Sequence, residues 1–167
     1  MTEDRHPRVG IVMGSDSDLD VMQEAGRTLE ALDVPYELTV ASAHRTPERT
    51  RRWVHEATAR GVRVFIAGAG GAAALPGFVA SETTLPVIGV PIPSVLNGLD
   101  SLLSMVQMPR GLPVATLAIG KPGAANAGIL AAQILALSDP DLARRLTEHR
   151  AEMAREVEAR AQRIERK

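Results

Sequence analysis

Three short polar loops, each preceded by an apolar run and followed by a helical pattern, dominate the first half of the chain. They are Gly14-Ser15-Asp16-Ser17-Asp18, Ser42-Ala43-His44-Arg45-Thr46-Pro47, and the glycine-rich stretch 68–77. The runs before them, Val9–Met13, Tyr36–Val40 and residues 62–67, are short and rich in β-branched side chains. A repeated strand, loop and helix order is what βαβ units of a parallel sheet require. In such a sheet the loops at the carboxyl ends of the strands share one edge, where ligands bind. The three loops are therefore expected to meet in one crevice.

The remaining elements follow the same alternation. A helix capped by Asp16, Ser17 or Asp18 is expected to run to about Leu32, with Leu19, Met22, Leu29 and Leu32 as its apolar stripe. Thr46 is an N-cap candidate for a second helix, in which Pro47 takes the first position and which ends near Gly61. The glycine-rich loop leads into a short helix ending near Ser81. Strands are expected over 86–90 and 114–119, with a short helix over 99–105 between them. The segment 120–123 reads as a turn before an alanine-rich helix over 124–137. Ser138-Asp139-Pro140 restarts a helix reaching about Ile164. The whole predicts an α/β fold: a three-layer α/β/α sandwich on a flavodoxin-like parallel sheet of order 2-1-3-4-5, with a long C-terminal helix. It reads as one domain over 1–167, with a compact core over about 8–137 and a helical extension over about 138–165.

Composition narrows the function. A net charge of -1 over 167 residues gives no reason to expect a nucleic-acid or membrane partner. The absence of cysteine excludes disulfides, thiolate metal sites and a cysteine nucleophile. With aromatic residues at only 2%, a flavin sandwich lacks stacking rings. The start of the chain, from Met1 to Pro7, has no apolar leader pattern, and no run approaches about 20 apolar residues. A cytoplasmic protein is the expectation.

The glycine-rich loop matches G-x-G-x-x-A, a dinucleotide fingerprint, but it follows the third strand rather than the first. The fourth strand also lacks an acidic residue for a ribose. Gly70 and Gly71 are better read as bare backbone that a ligand can approach closely. The first loop lacks the lysine of a P-loop, which argues against a nucleotide triphosphatase. Ser15 and Ser17 can offer hydroxyls there. Asp18 can accept from sugar hydroxyls or serve as a plain N-cap. His44 lies in a ligand-edge loop, whereas His6, His55 and His149 fall in a tail or on expected helices. Imidazole can give and take a proton near neutrality, and the neighbouring Arg45 carries a fork suited to phosphate or carboxylate. A surface His-Arg pair is the plainer alternative. The stripe Leu142, Leu146, His149, Met153, Val157 and Ile164 makes the last helix a candidate for packing on another subunit.

At these loops the chain resembles a known family, the bacterial N5-carboxyaminoimidazole ribonucleotide mutases, or class I PurE proteins. The resemblance spans about residues 9–137. It rests on MGSDSD at 13–18, SAHRTP at 42–47, GAGGAA at 68–73 with LPG at 75–77, SMVQMPRGLPVATLAIG at 104–120 and GAANAGILAAQIL at 123–135. It implies transfer of a carboxylate from an exocyclic nitrogen to ring carbon C4 of an aminoimidazole ribonucleotide, without metal or organic cofactor, by a homo-octamer. It also implies that His44 is the general acid-base. Ser15, Asp18 and Arg45 become substrate ligands, with Ser42 and Ala43 beside the phosphate. The competing readings are direct carboxylation of the aminoimidazole ribonucleotide by CO2, and a non-enzymatic flavodoxin-like ligand-binding module. One position departs from the family pattern: Ala74 stands where a histidine is usual, so one polar contact is lost and slow turnover is expected.

Overall fold

The computed structural model describes residues 6–166; most of the segment from Met1 to Pro7 discussed above lies outside that range. Five parallel strands are joined by helices: β1 (Val9–Met13), α1 (Leu19–Ala31), β2 (Tyr36–Val40), α2 (Pro47–Arg60), β3 (Val64–Ala69), α3 (Ala74–Glu82), β4 (Val87–Pro91), α4 (Leu99–Val106), β5 (Ala115–Thr116), α5 (Lys121–Ala136) and α6 (Pro140–Glu165). The strand order is β2-β1-β3-β4-β5, as expected. β1 pairs with β2 from Val9–Tyr36 to Met13–Val40, and with β3 from Val9–Val64 to Met13–Gly68.

Every residue of β1, β3 and β4 is buried. Both faces of the sheet are therefore covered, which is why these runs are continuously apolar rather than alternating. The alternation survives in the direction of the side chains. Val9, Ile11, Met13, Val64 and Ile66 join α1 and α5 in one core layer. Val12, Phe65, Ala67 and Ala69 join α2, α3 and Met105 of α4 in the other. In that second layer Trp53 meets Phe65 edge-on at 5.5 Å, above Gly10, where a Cβ would lie 3.0 Å from both rings.

Several boundaries differ from expectation, each for a local reason. The third strand is Val64–Ala69, not 62–67. Left-handed Gly61 ends α2, and the Val62 amide donates to Ala57 O, so Val62 belongs to the helix cap. At the far end Gly68 and Ala69 pair with Val90 and Pro91 and prolong the strand. The fifth strand shrinks from 114–119 to Ala115–Thr116. Leu117 donates to Gly89 O and Gly120 to Pro91 O, so three residues advance against two and the regular ladder is lost.

The segment expected as a turn over 120–123 is mostly helix. α5 starts at Lys121, with Gly120 as the N-cap residue and Pro122 in the first turn. Around α1 the caps also change. Ser15, not the aspartates, accepts from the Ser17 amide at the head of a 3-10 turn (Asp16–Asp18). Asp18 stands at the α1 N-cap without making a cap bond. The buried stripe of α1 is Met22, Ala25, Gly26 and Leu29, while Leu19 is exposed.

The alanine-rich face of α5 is consumed inside this chain. Ala124, Ala127, Gly128 and Ala131 are buried, and a Cβ on Gly128 would lie 2.9 Å from Ala25 O. Small residues there let α1 and α5 cross at backbone distance. α6 docks through its first turns only. The Asp139 carboxylate accepts from the Leu142 amide (3.0 Å) and pairs with Arg8 (2.6 Å), Leu142 is fully buried, and Arg145 donates to Leu32 O (2.8 Å). Further along, Met153, Val157 and Ile164 are exposed.

Candidate functional site

Strand order explains the site before any side chain is placed. β2, β1 and β3 are neighbours, and the chain leaves β1 toward β2 on one side but β3 lies on the other. That reversal is the topological switch point of a doubly wound sheet. The three loops leaving these strands enclose a cleft of about 340 Å³. The first loop contributes Gly14, Ser15 and Asp18, and the second contributes Ser42, Ala43, His44 and Arg45. The opposite wall is Ala69, Gly70, Ala73, Ala74 and Leu75. Eight of the nine residues singled out from the sequence thus line one cleft. Gly71 does not; its N–H donates instead to Ser101 of α4 (3.0 Å).

The first loop is held by its own hydroxyls. Ser17 Oγ lies 2.9 Å from Ser15 Oγ, and the Ser17 amide donates to Ser15 Oγ (3.3 Å). Burial pushes the Asp18 carboxyl above its ordinary range, opposed by hydrogen bonds from the Ser17 hydroxyl and the Ser15 amide, with nearby Asp16 adding to the rise. A half-buried carboxylate of this kind has acceptor capacity that sugar hydroxyls would satisfy.

The second loop is a closed turn. Thr46, expected as an N-cap, makes no cap bond to α2. Its hydroxyl donates to Ser42 O (3.2 Å) and accepts from the Ser42 amide (2.9 Å). Ser42 Oγ accepts from the Arg45 amide (3.2 Å). The Arg45 guanidinium reaches across to donate to Gly14 O (3.0 Å), tying the second loop to the first. His44 is exposed at the cleft, between these anchored neighbours.

A second hollow of about 380 Å³ adjoins the first, shares Gly14, Ser15, Ser42 and Arg45 with it, and adds Thr46 and Arg49. Arg45 therefore faces both spaces. Arg49 was not singled out from the sequence. The available signal was its place in the first turn of α2, directly after the polar loop.

The third wall is backbone-rich, as its glycines suggested. Gly71 has φ +64° and Ala73 has φ +46°, so two residues of one short turn are left-handed. An alanine there costs roughly 1–2 kcal/mol relative to ordinary backbone. Gly68 answers a different demand, since a Cβ would lie 2.3 Å from Met22 Sδ. Ala74 opens α3 and presents only a methyl group to the cleft. Among the described residues no three His, Asp or Glu side chains gather in a metal-holding group, and no helix is long and apolar enough to cross a membrane.

A flavodoxin-like sheet whose switch-point cleft pairs an imidazole with an arginine and fixed hydroxyls defines an α/β enzyme of small-molecule metabolism. Its family is settled by comparison with known proteins. The chain belongs to the AIR carboxylase family, whose model matches residues 8–156. It is 59% identical over 160 residues to a Thermotoga maritima protein named N5-carboxyaminoimidazole ribonucleotide mutase, covering 95% of this chain and 92% of that one. A Bacillus subtilis protein of the same name is 61% identical over 145 residues, covering 86% and 90%. Among solved structures, Treponema denticola PurE superposes with a TM-score of 0.82 at 30% identity, covering 90% of this chain and 94% of that one.

Proposed function

We propose that this chain is the mutase of de novo purine biosynthesis, interconverting N5-carboxyaminoimidazole ribonucleotide and 4-carboxy-5-aminoimidazole ribonucleotide. The observation that carries the reading is the placement of His44 and Arg45 in one cleft with Ser15 and Asp18, in a chain 59% identical to proteins bearing the mutase name. Arg45 binds the 5'-phosphate with Ser42 and Ser15, and Asp18 accepts from ribose hydroxyls. The heterocycle then lies toward Gly70, Ala73 and Ala74. His44 protonates the carbamate nitrogen, the N–C bond breaks, and CO2 leaves with its electron pair returned to nitrogen. Carbon C4 attacks the held CO2, and His44, now neutral, removes the C4 proton. One imidazole thus performs both transfers, and recapture is intramolecular because the cleft retains CO2 beside C4. No metal or organic cofactor enters this sequence.

Assembly belongs to the same reading. The active form is a homo-octamer with clefts near subunit contacts. An exposed apolar stripe on α4 and the loop before it (Leu96, Leu99, Leu103 and Val106) supports this, as does the outer half of α6. A phosphorylated substrate of this kind is retained within the cell, so the reaction is placed in the cytoplasm. With alanine at position 74, turnover is slow. The test is conversion of N5-carboxyaminoimidazole ribonucleotide by the purified protein in the presence of labelled bicarbonate. Product without label supports the mutase, label in the product indicates direct carboxylation by CO2, and absence of conversion rejects both.

A further inference from the structure

Only two polar residues among those described are fully buried, Thr50 and Ser101. Thr50 donates to Thr46 O one turn back in its own helix, an ordinary internal bond. Ser101 does something else. Its hydroxyl proton goes to Ile92 O (2.7 Å), and one of its lone pairs receives the Gly71 N–H (3.0 Å). The Ile92 amide in turn donates to Ala69 O (2.9 Å). A hydroxyl has one proton and two lone pairs, so donation and acceptance are both assigned and its orientation is fixed. The result is a closed circuit from Ala69 through Ile92 and Ser101 to Gly71. One helical turn later Ser104 Oγ also approaches Gly71 O (3.4 Å), a longer contact on the other side of the same residue.

The circuit brackets Gly70. Ala69 and Gly70 line the cleft, whereas Ser101 does not and is sealed from solvent. The turn it grips holds two left-handed residues, Gly71 and Ala73, and among the described residues has no side-chain bond other than those from α4. Backbone in that conformation relaxes unless its surroundings fix it. We propose that Ser101 is a positioning residue for the mutase reaction: it sets the glycine-rich wall against which the heterocycle lies, acting through Gly71 without touching substrate. This rests on the mutase reading. That reading places the phosphate on the opposite wall, so the loss of Ser101 strikes kcat and spares KM.

The experiment compares wild type, Ser101→Ala and Thr58→Val, the last removing a hydroxyl bond to Val54 O far along α2. Readouts are kcat and KM for the ribonucleotide, the melting temperature, and amide hydrogen exchange at Gly71. In wild type the Gly71 amide is expected to be protected although its turn is partly exposed; exchange at a free-loop rate would overturn the clamp without any variant. Ser101→Ala is expected to speed Gly71 exchange and to lower kcat by about tenfold or more, as a small misplacement of reacting groups does, with KM within about threefold. Thr58→Val, even with a similar fall in melting temperature, is expected to keep kcat. An unchanged kcat in Ser101→Ala, or an equal loss in both variants, removes the positioning role and leaves the mutase reading standing. A wild type that converts no ribonucleotide removes the mutase reading, and this role with it.

Discussion

At the scale of single residues, the lining of the cleft was legible where a polar residue directly follows a strand and hidden where it depends on the tertiary partner of a backbone group. His44, Arg45, Ser15 and Asp18 announced themselves because polar, functional side chains directly after apolar runs have few structural reasons to be there. Ser101 gave no such signal: a serine in a short helix reads as solvent-facing, and only packing shows it sealed beneath the glycine-rich turn. Gly71 was read as bare backbone open to a ligand, but the structure gives it a left-handed φ of +64° and turns its amide to α4 rather than into the cleft. His44→Asn is expected to abolish turnover while leaving ribonucleotide binding within a few-fold, checked by calorimetry beside a product assay; retained turnover would exclude His44 as proton carrier. Arg45→Ala removes a charge-assisted contact of roughly 1.5–3 kcal/mol, so ribonucleotide affinity should fall at least tenfold. The matching riboside, which lacks the phosphate, should lose little; equal losses would mean that Arg45 does not hold the phosphate. Ala74→His restores a donor to the wall facing His44 and should raise kcat, on the order of a hundredfold, since one polar contact to a developing charge is worth a few kcal/mol. A paired kinetic measurement decides, and an unchanged or lower rate would show that the position is not deficient.

At the scale of elements, the strands that matter to the cleft were predicted to within two residues. β1, β2 and β3 lie inside the sheet or carry strong flanking signals, and their loops begin with residues that cannot continue a strand. The edge was harder. β5 has a six-residue apolar run, but the extra residue between Leu117 and Gly120 defeats regular pairing, and no composition rule reveals a register mismatch. α5 was shortened in the reading because Pro122 and Gly123 look like a turn, although proline is well suited to a helix start. Its alanines serve the crossing with α1 in the same chain. His149 lines a groove between α5 and α6. The docking of α6 hinges on Asp139. The Leu142 amide first, and Arg8 second, hold its carboxyl below the usual carboxylate range. A depressed folded-state value means stabilisation that is present above the unfolded value, near 3.9, and is lost as pH falls through the folded one. Asp139→Ala should therefore cost about 1 kcal/mol at neutral pH, with wild type and variant converging in strong acid. Thermal melts from pH 7 to below pH 3 test this, and a constant gap across the range would exclude the carboxylate as its source.

At the scale of the whole molecule, exposed apolar surface is concentrated where the three-layer fold has nothing left to cover it. Leu99, Leu103 and Val106 recur at helical spacing on the outer face of α4, each about half exposed. In the octamer we propose, another chain covers this stripe. Light scattering should give about eight times the 17.8 kDa chain mass, and Leu103→Glu should lower it toward smaller species; a monodisperse monomer for the unaltered chain would reject the octamer. The same helix carries the serine grip on Gly71 on its inner face. There is a consequence for biosynthesis of the chain itself. All the residues that line the cleft lie between Gly14 and Leu75, so every one of them is added to the chain before α4 or α5 is synthesised. Domains acquire structure from the amino end as they emerge, but α1 must wait for Ala124 to Ala131 to cover its buried face, and the glycine-rich turn must wait for Ser101. A nascent chain stalled after α3 would carry the full set of cleft side chains without the helices that cover α1 and grip the glycine-rich turn, so the cleft is completed by a segment that supplies none of its lining.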